Sequence, residues 1–161
     1  MATLEKSELE IALERLTPQW LAGFFDGEGC VTVTMSGVRN PRVMVSITQQ
    51  DYNLLYAIWK KFCEPSTGCL YQPVRKNPRG NEHPVWMLHF TGKSCRPILE
   101  AIRPYVILKR KLVEWGIEMA LLTAERGCVG RGGSLPADVV ERRHELMKLV
   151  RAENEASRAV Q

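Results

Sequence analysis

No run of about 18 apolar residues occurs in the chain, so the sequence offers no transmembrane helix. The five cysteines are odd in number and contain no CxxC pair. The three histidines, His83, His89 and His144, are not paired at zinc-ligand spacing, so neither a disulfide framework nor a structural zinc site is expected. The N-terminal MATLEKSELEIALERL alternates acids with apolar residues and lacks the basic-then-apolar order of a signal peptide. The segment GCVGRGG lacks the Gly-Lys-Ser/Thr ending of a phosphate-binding P-loop and reads as a helix connector. These absences point to an intracellular protein, in an organelle or a bacterial cytoplasm, with no membrane partner.

What is present suits one domain with helical extensions: 161 residues, 45% of them hydrophobic, enough for a real core. The net charge of +4 is unevenly spread. Residues 1–30 carry 2 Lys/Arg against 6 Asp/Glu, residues 31–111 carry 13 against 4, and residues 112–161 carry 7 against 8. The basic middle of the chain suggests a polyanionic partner for that part alone.

Periodicity orders the elements. An amphipathic helix is marked by Leu4, Leu9, Ile11, Leu13 and Leu16. A second opens at Thr17-Pro18, a cap followed by proline at the first helical position, and should end near residues 27–29. CVTVTMS and RVMVSIT alternate with period two across a turn at residues 37–41 and form a hairpin. Asp51 caps a helix through Phe62-Cys63. Strands over 69–76 and in PVWMLHFT, joined by the turn signal at 77–81, form a second hairpin, with Trp86, Leu88 and Phe90 inward. Helices are expected over 91–103, 105–126 and 137–156, with Pro104 as a breaker. The expected fold class is α+β, in the order αββαββα, with an antiparallel sheet and its helices on one face. The expected division is a helical extension over 1–16, a core over 17–126, and a linker with a C-terminal helix over 127–161. The sheet's other face collects Thr32, Thr34, Ser36, Arg42, Met44, Ser46, Thr48, Tyr71, Arg75, Met87 and His89. Hydroxyls, an amide at Asn40 and arginines suit the donor and acceptor code of the DNA major groove, although a solvated sheet face has the same composition.

The passage LAGFFDGEG, residues 21–29, breaks two rules for a helix. It holds three glycines, each costing about 1 kcal/mol relative to alanine inside a helix, and it ends on two acids that oppose the helix dipole. Gly23 and Gly27 lie four apart on one face, with the small Ala22 beside them, and would let a second backbone approach closely. A helix meeting its own copy there would bring two Glu28 carboxylates together, a costly arrangement unless a divalent cation of the magnesium type relieves it.

LAGFFDGEG resembles the LAGLIDADG motif: Leu21, Ala22, Gly23, Asp26 and Gly29 are identical to it. Phe24, Phe25, Gly27 and Glu28 are conservative replacements. The chain looks like a single-motif LAGLIDADG homing endonuclease over residues 17–126. The resemblance implies a saddle-shaped sheet and a homodimer paired through Ala22, Gly23 and Gly27. It also implies sequence-specific hydrolysis of both strands of a long pseudo-palindromic DNA site, leaving 3′ overhangs, in the setting of intron homing. Mg2+ or Mn2+ would be held by Glu28 and the carbonyl of Gly27, with Asp26 in a structural role. Gln49 would order water, and Lys109, in the segment PYVILKRK, would stand near the scissile phosphate. Arg39, Arg75, Lys76, Arg79 and Lys111 would contact phosphates, while the sheet face reads bases. Asn53 departs from the pattern, since some members carry a basic residue there, and the first hairpin turn is short. An RNA maturase and a non-catalytic DNA-binding regulator on the same fold are the alternatives; a sheet face rich in aromatics would favour the maturase.

Overall fold

The structure is a computed structural model, describing residues 7–36, 40–63, 67–73, 84–124 and 135–159. Six helices and four strands follow one another as α1 (Glu8–Arg15), α2 (Pro18–Glu28), β1 (Gly29–Ser36), β2 (Asn40–Gln49), α3 (Tyr52–Phe62), β3 (Cys69–Tyr71), β4 (Trp86–Thr91), α4 (Arg96–Ile102), α5 (Arg110–Ala124) and α6 (Ala137–Ala159). Local chemistry explains most of the starts. Ser7 and Glu10 close a reciprocal capping box on α1, Thr17 Oγ1 accepts from Trp20 N at 3.1 Å on α2, and Asp51 Oδ1 accepts from Leu54 N at 3.1 Å on α3. No helix among the described residues is long and apolar enough to cross a membrane.

The strands form one antiparallel sheet in the order β1-β2-β4-β3, so the second strands of the two hairpins meet in its middle. Because side chains alternate across a strand, the register sorts them completely. Val31 pairs with Val45, Val33 with Val43, Val45 with Phe90 and Ile47 with Leu88, and all of these but the half-buried Val33 are sealed under the helices. The same core takes in Leu21, Ala22 and Phe25 of α2, Leu55 and Ile58 of α3, Ile98 and Leu99 of α4, Val113 and Met119 of α5, and Leu146 and Val150 of α6. At Gly116 a Cβ would come within 2.9 Å of Leu99 Cδ1 and 3.3 Å of Val31 Cγ1, so the glycine sets how closely α5 approaches the sheet. Antiparallel to α5, α6 is tied by the Arg142–Glu118 pair at 2.7 Å, by Arg143 Nη2 to the Leu122 carbonyl at 2.8 Å, and by Asn154 Nδ2 to the Val31 carbonyl at 3.0 Å.

Two expectations need correcting. The helix expected from Thr91 starts only at Arg96: β4 continues through Thr91, and a single 3-10 turn, Gly92–Cys95, with Gly92 at φ +58°, intervenes. The helix expected from Tyr105 starts at Arg110, because residues 107–109 are held in a turn by α2. β3 is described only over Cys69–Tyr71; residues 74–83, with the second hairpin turn, lie outside the described residues.

Candidate functional site

The end of α2 and the start of α5 are built from each other. The carboxylate of Asp26 accepts three consecutive backbone amides: Oδ2 from Ile107 N at 2.8 Å and Leu108 N at 3.1 Å, and Oδ1 from Lys109 N at 3.0 Å. In return, Lys109 Nζ donates to the carbonyls of Phe25 at 3.0 Å and Asp26 at 2.6 Å. An acid thus sits at the positive N-terminal end of α5, and a cation on the last carbonyls of α2. Each helix end receives the charge its dipole favours from the other element. Asp26 is therefore an anchor whose oxygens are already engaged. Burial pulls the pKa of Lys109 down, and the carboxylates of Asp26 and Glu28 push it back up.

Glu28 is the last residue of α2, exposed, and makes no hydrogen bond or ion pair among the described residues. The pairing of Gly29 with Ile47 carries Thr48 and Gln49 past the start of β1, to the end of the sheet where α2 finishes at Glu28. Gln49 Oε1 accepts from the backbone N of Gln50 at 2.7 Å, which leaves its amide nitrogen as the group it can offer. Glu28, Gln49 and Lys109 therefore gather at one end of the sheet. Among the described residues no three His, Cys, Asp or Glu side chains could jointly hold a metal. The chain by itself offers Glu28 and adjacent carbonyls such as that of Gly27.

Above this end, α2 turns a bare strip outward. Gly23 and Gly27 are exposed, and a Cβ added at either would find nothing within 4 Å. Trp20 and Phe24 flank the strip, stacked at 4.9 Å. Ala22 does not belong to it: grouped with the glycines in the sequence, it is fully buried in its own core, since a rotation of about 100° per residue carries it off the strip and under the helix.

The outward sheet face holds Thr32, Thr34, Asn40, Arg42, Met44, Ser46, Thr48, Tyr71, Met87 and His89 on one surface, as the pairs Thr34 with Arg42, Thr32 with Met44, Ser46 with His89, and Tyr71 with Met87 require. Ser36 pairs with Asn40 at the end of the hairpin. Tyr71 Oη donates to Met87 Sδ at 3.3 Å, and Cys69 Sγ lies 3.7 Å from His89 Nδ1, so these side chains brace one another. The Thr32 hydroxyl is buried without a partner. Lys111 is exposed and reaches Glu153 at 3.3 Å. Arg39, Arg75, Lys76 and Arg79 lie outside the described residues.

Sequence reasoning missed the exposed turn at Ile107 and Leu108. A signal existed: α5 opens on Lys109, Arg110 and Lys111 and has no acid in its first turn, the wrong charge for a helix start unless an anion comes from elsewhere.

No protein-family model matches the sequence, and no curated protein matches it significantly. Solved structures do. The homing endonuclease I-CvuI, in complex with its target in the presence of calcium, matches over 88% of this chain and 97% of its own, at 20% identity and a TM-score of 0.50. The LAGLIDADG homing endonuclease I-GzeII, in complex with a DNA target, matches over 82% of this chain and 44% of its own, at 17% identity and a TM-score of 0.59. The LAGLIDADG meganuclease I-AabMI, bound to uncleaved DNA, matches over 66% of this chain and 36% of its own, at 20% identity and a TM-score of 0.52. With its strand order, its glycine-marked α2 and the acid at the end of that helix, the chain has the fold of the LAGLIDADG homing endonucleases.

Proposed function

We propose that the protein is a metal-dependent, sequence-specific endonuclease that cuts double-stranded DNA as a homodimer. One observation carries the reading: α2 buries one face completely and leaves on the other a strip of bare backbone, Gly23 and Gly27, that ends on the unpaired acid Glu28. Two such strips packed about a two-fold axis would set two Glu28 side chains close together, one for each strand of a duplex. The proteins whose fold it shares are described as homing endonucleases bound to DNA.

The donor set fits a magnesium-type ion, which takes few carboxylates and completes its shell with phosphate oxygens and water. Glu28 and the carbonyl of Gly27 would hold it. A bound Mg2+ or Mn2+ would neutralise phosphate charge and lower the pKa of a water molecule. Lys109 adds positive charge beside Glu28 while holding the end of α2 in place, and Gln49 offers an amide to the water around it. The outer sheet face presents Thr34, Arg42, Ser46, Thr48 and His89 to base edges in the major groove, with Lys111 toward the backbone; Thr32, whose hydroxyl is buried, is not among them. Two such faces flanking two central acids would span a long pseudo-palindromic site; 3′ overhangs are what the resemblance to the LAGLIDADG family implies. Tyr71 is the only Phe, Tyr or Trp ring on that face among the described residues, which favours duplex DNA over an RNA maturase's stacking surface.

The test is cleavage of a randomised library of pseudo-palindromic duplexes with magnesium, run beside Glu28→Gln. Wild type should cut one class of site, and the variant should bind that class without cutting. If both bind one duplex and neither cuts, the protein is a regulator; preference for folded RNA over every duplex would make it a maturase.

A further inference from the structure

Ile107 and Leu108 are the most exposed apolar residues described, at 80% and 79%. They sit on a turn that cannot fold away, since Asp26 holds the amides of both, and Tyr105, 43% exposed, stands beside them. The same Asp26 lies on α2 directly before Gly27, so the turn continues the strip of Trp20, Gly23, Phe24 and Gly27.

We infer that the Ile107–Leu108 turn is the apolar flank of the interface with a second copy of this chain, and that Asp26 positions it. The inference rests on the homodimer reading above and adds residues outside the motif to it. Area argues for it. A helix of 11 residues is about 16 Å long, and its outer face offers Trp20 and Phe24 with bare glycine between, whereas a standard interface buries about 800 Å² on each side. The turn, pinned to α2 through Asp26, adds rigid apolar surface to that face. Its rigidity also lowers the ordering cost of association, because the side chains are presented before the partner arrives. A two-fold axis through the α2 pair uses each turn twice, so a change at one position acts on both sides of the interface.

The experiment is sedimentation velocity of the full chain over a concentration series, with thermal melts of every variant. Ile107→Ser/Leu108→Ser should raise the dimer dissociation constant by at least about tenfold, as loss of a buried apolar anchor does. It should leave the monomer's melting temperature unchanged, since neither side chain is buried in the protomer. Leu108→Ala should give a smaller shift in the same direction. If the double variant dimerises as tightly as wild type while Gly23→Val comes apart, the turn is not part of the interface and pairing through α2 stands. If wild type is monomeric at all concentrations, the homodimer reading falls and this inference with it.

Discussion

On its inner face α2 carries Leu21, Ala22 and Phe25, all fully buried; on its outer face it carries Gly23 and Gly27 with open space above them. The inner face obeys the rule for any globular helix. Its neighbour Gly29 is part of that packing, because a Cβ there would come within 2.3 Å of Phe25 Cδ2. The outer face disobeys it, since nothing inside the protomer requires the absence of side chains at Gly23 and Gly27. Two glycines of one motif thus have opposite meanings: Gly29 answers to a contact already made, and Gly23 to one that a second molecule would make.

Substitutions can break this contrast or sharpen it. The largest effect belongs to Glu28→Gln, expected to reduce cleavage about 10³-fold or more while leaving DNA affinity within a few-fold, checked by cleavage rates and gel shift on the same duplex. Next is Phe25→Ala on the inner face, which should cost about 3–5 kcal/mol of stability in denaturant titration. Asp26→Ala removes the acceptor of three backbone amides, while Lys109 Nζ keeps the carbonyls of residues 25 and 26; a loss of about 2 kcal/mol is expected, with no direct change at the Glu28 carboxylate. The smallest and most telling is Gly23→Ala. Helix propensity should raise the monomer's stability by up to about 1 kcal/mol, while the added methyl groups at a close crossing weaken association. An alanine that leaves association untouched would mean that the outer face meets nothing.

How much of this was legible in the sequence follows from the range of the interactions. Caps and alternation are local, so Thr17, Asp51 and the two faces of β2 could be read directly. The acid at Glu28 and its pairing with glycines came from one contiguous motif. What stayed hidden depends on partners far apart in the chain. The anion that starts α5 is Asp26, 81 residues before Ile107, so the run Tyr105-Val106-Ile107-Leu108 reads as the first turn of a helix when it is a pinned and exposed corner. Ala22 was misplaced for a related reason: spacing shows which residues share a helix face, and only the sheet and helices around α2 show which face turns inward.

The central claim is that two outer faces of α2 meet and deliver one Glu28 to each DNA strand. Mixing wild type with Glu28→Gln and allowing protomers to exchange would form mixed dimers, about half of the total by random pairing in an equimolar mixture. On a supercoiled plasmid carrying the target, the account predicts that nicked circles accumulate, because each mixed dimer cuts only one strand. If the mixture gives only full double-strand breaks at a reduced rate, with no nicked product above that of wild type, the two acids do not divide the strands between them and the account is contradicted.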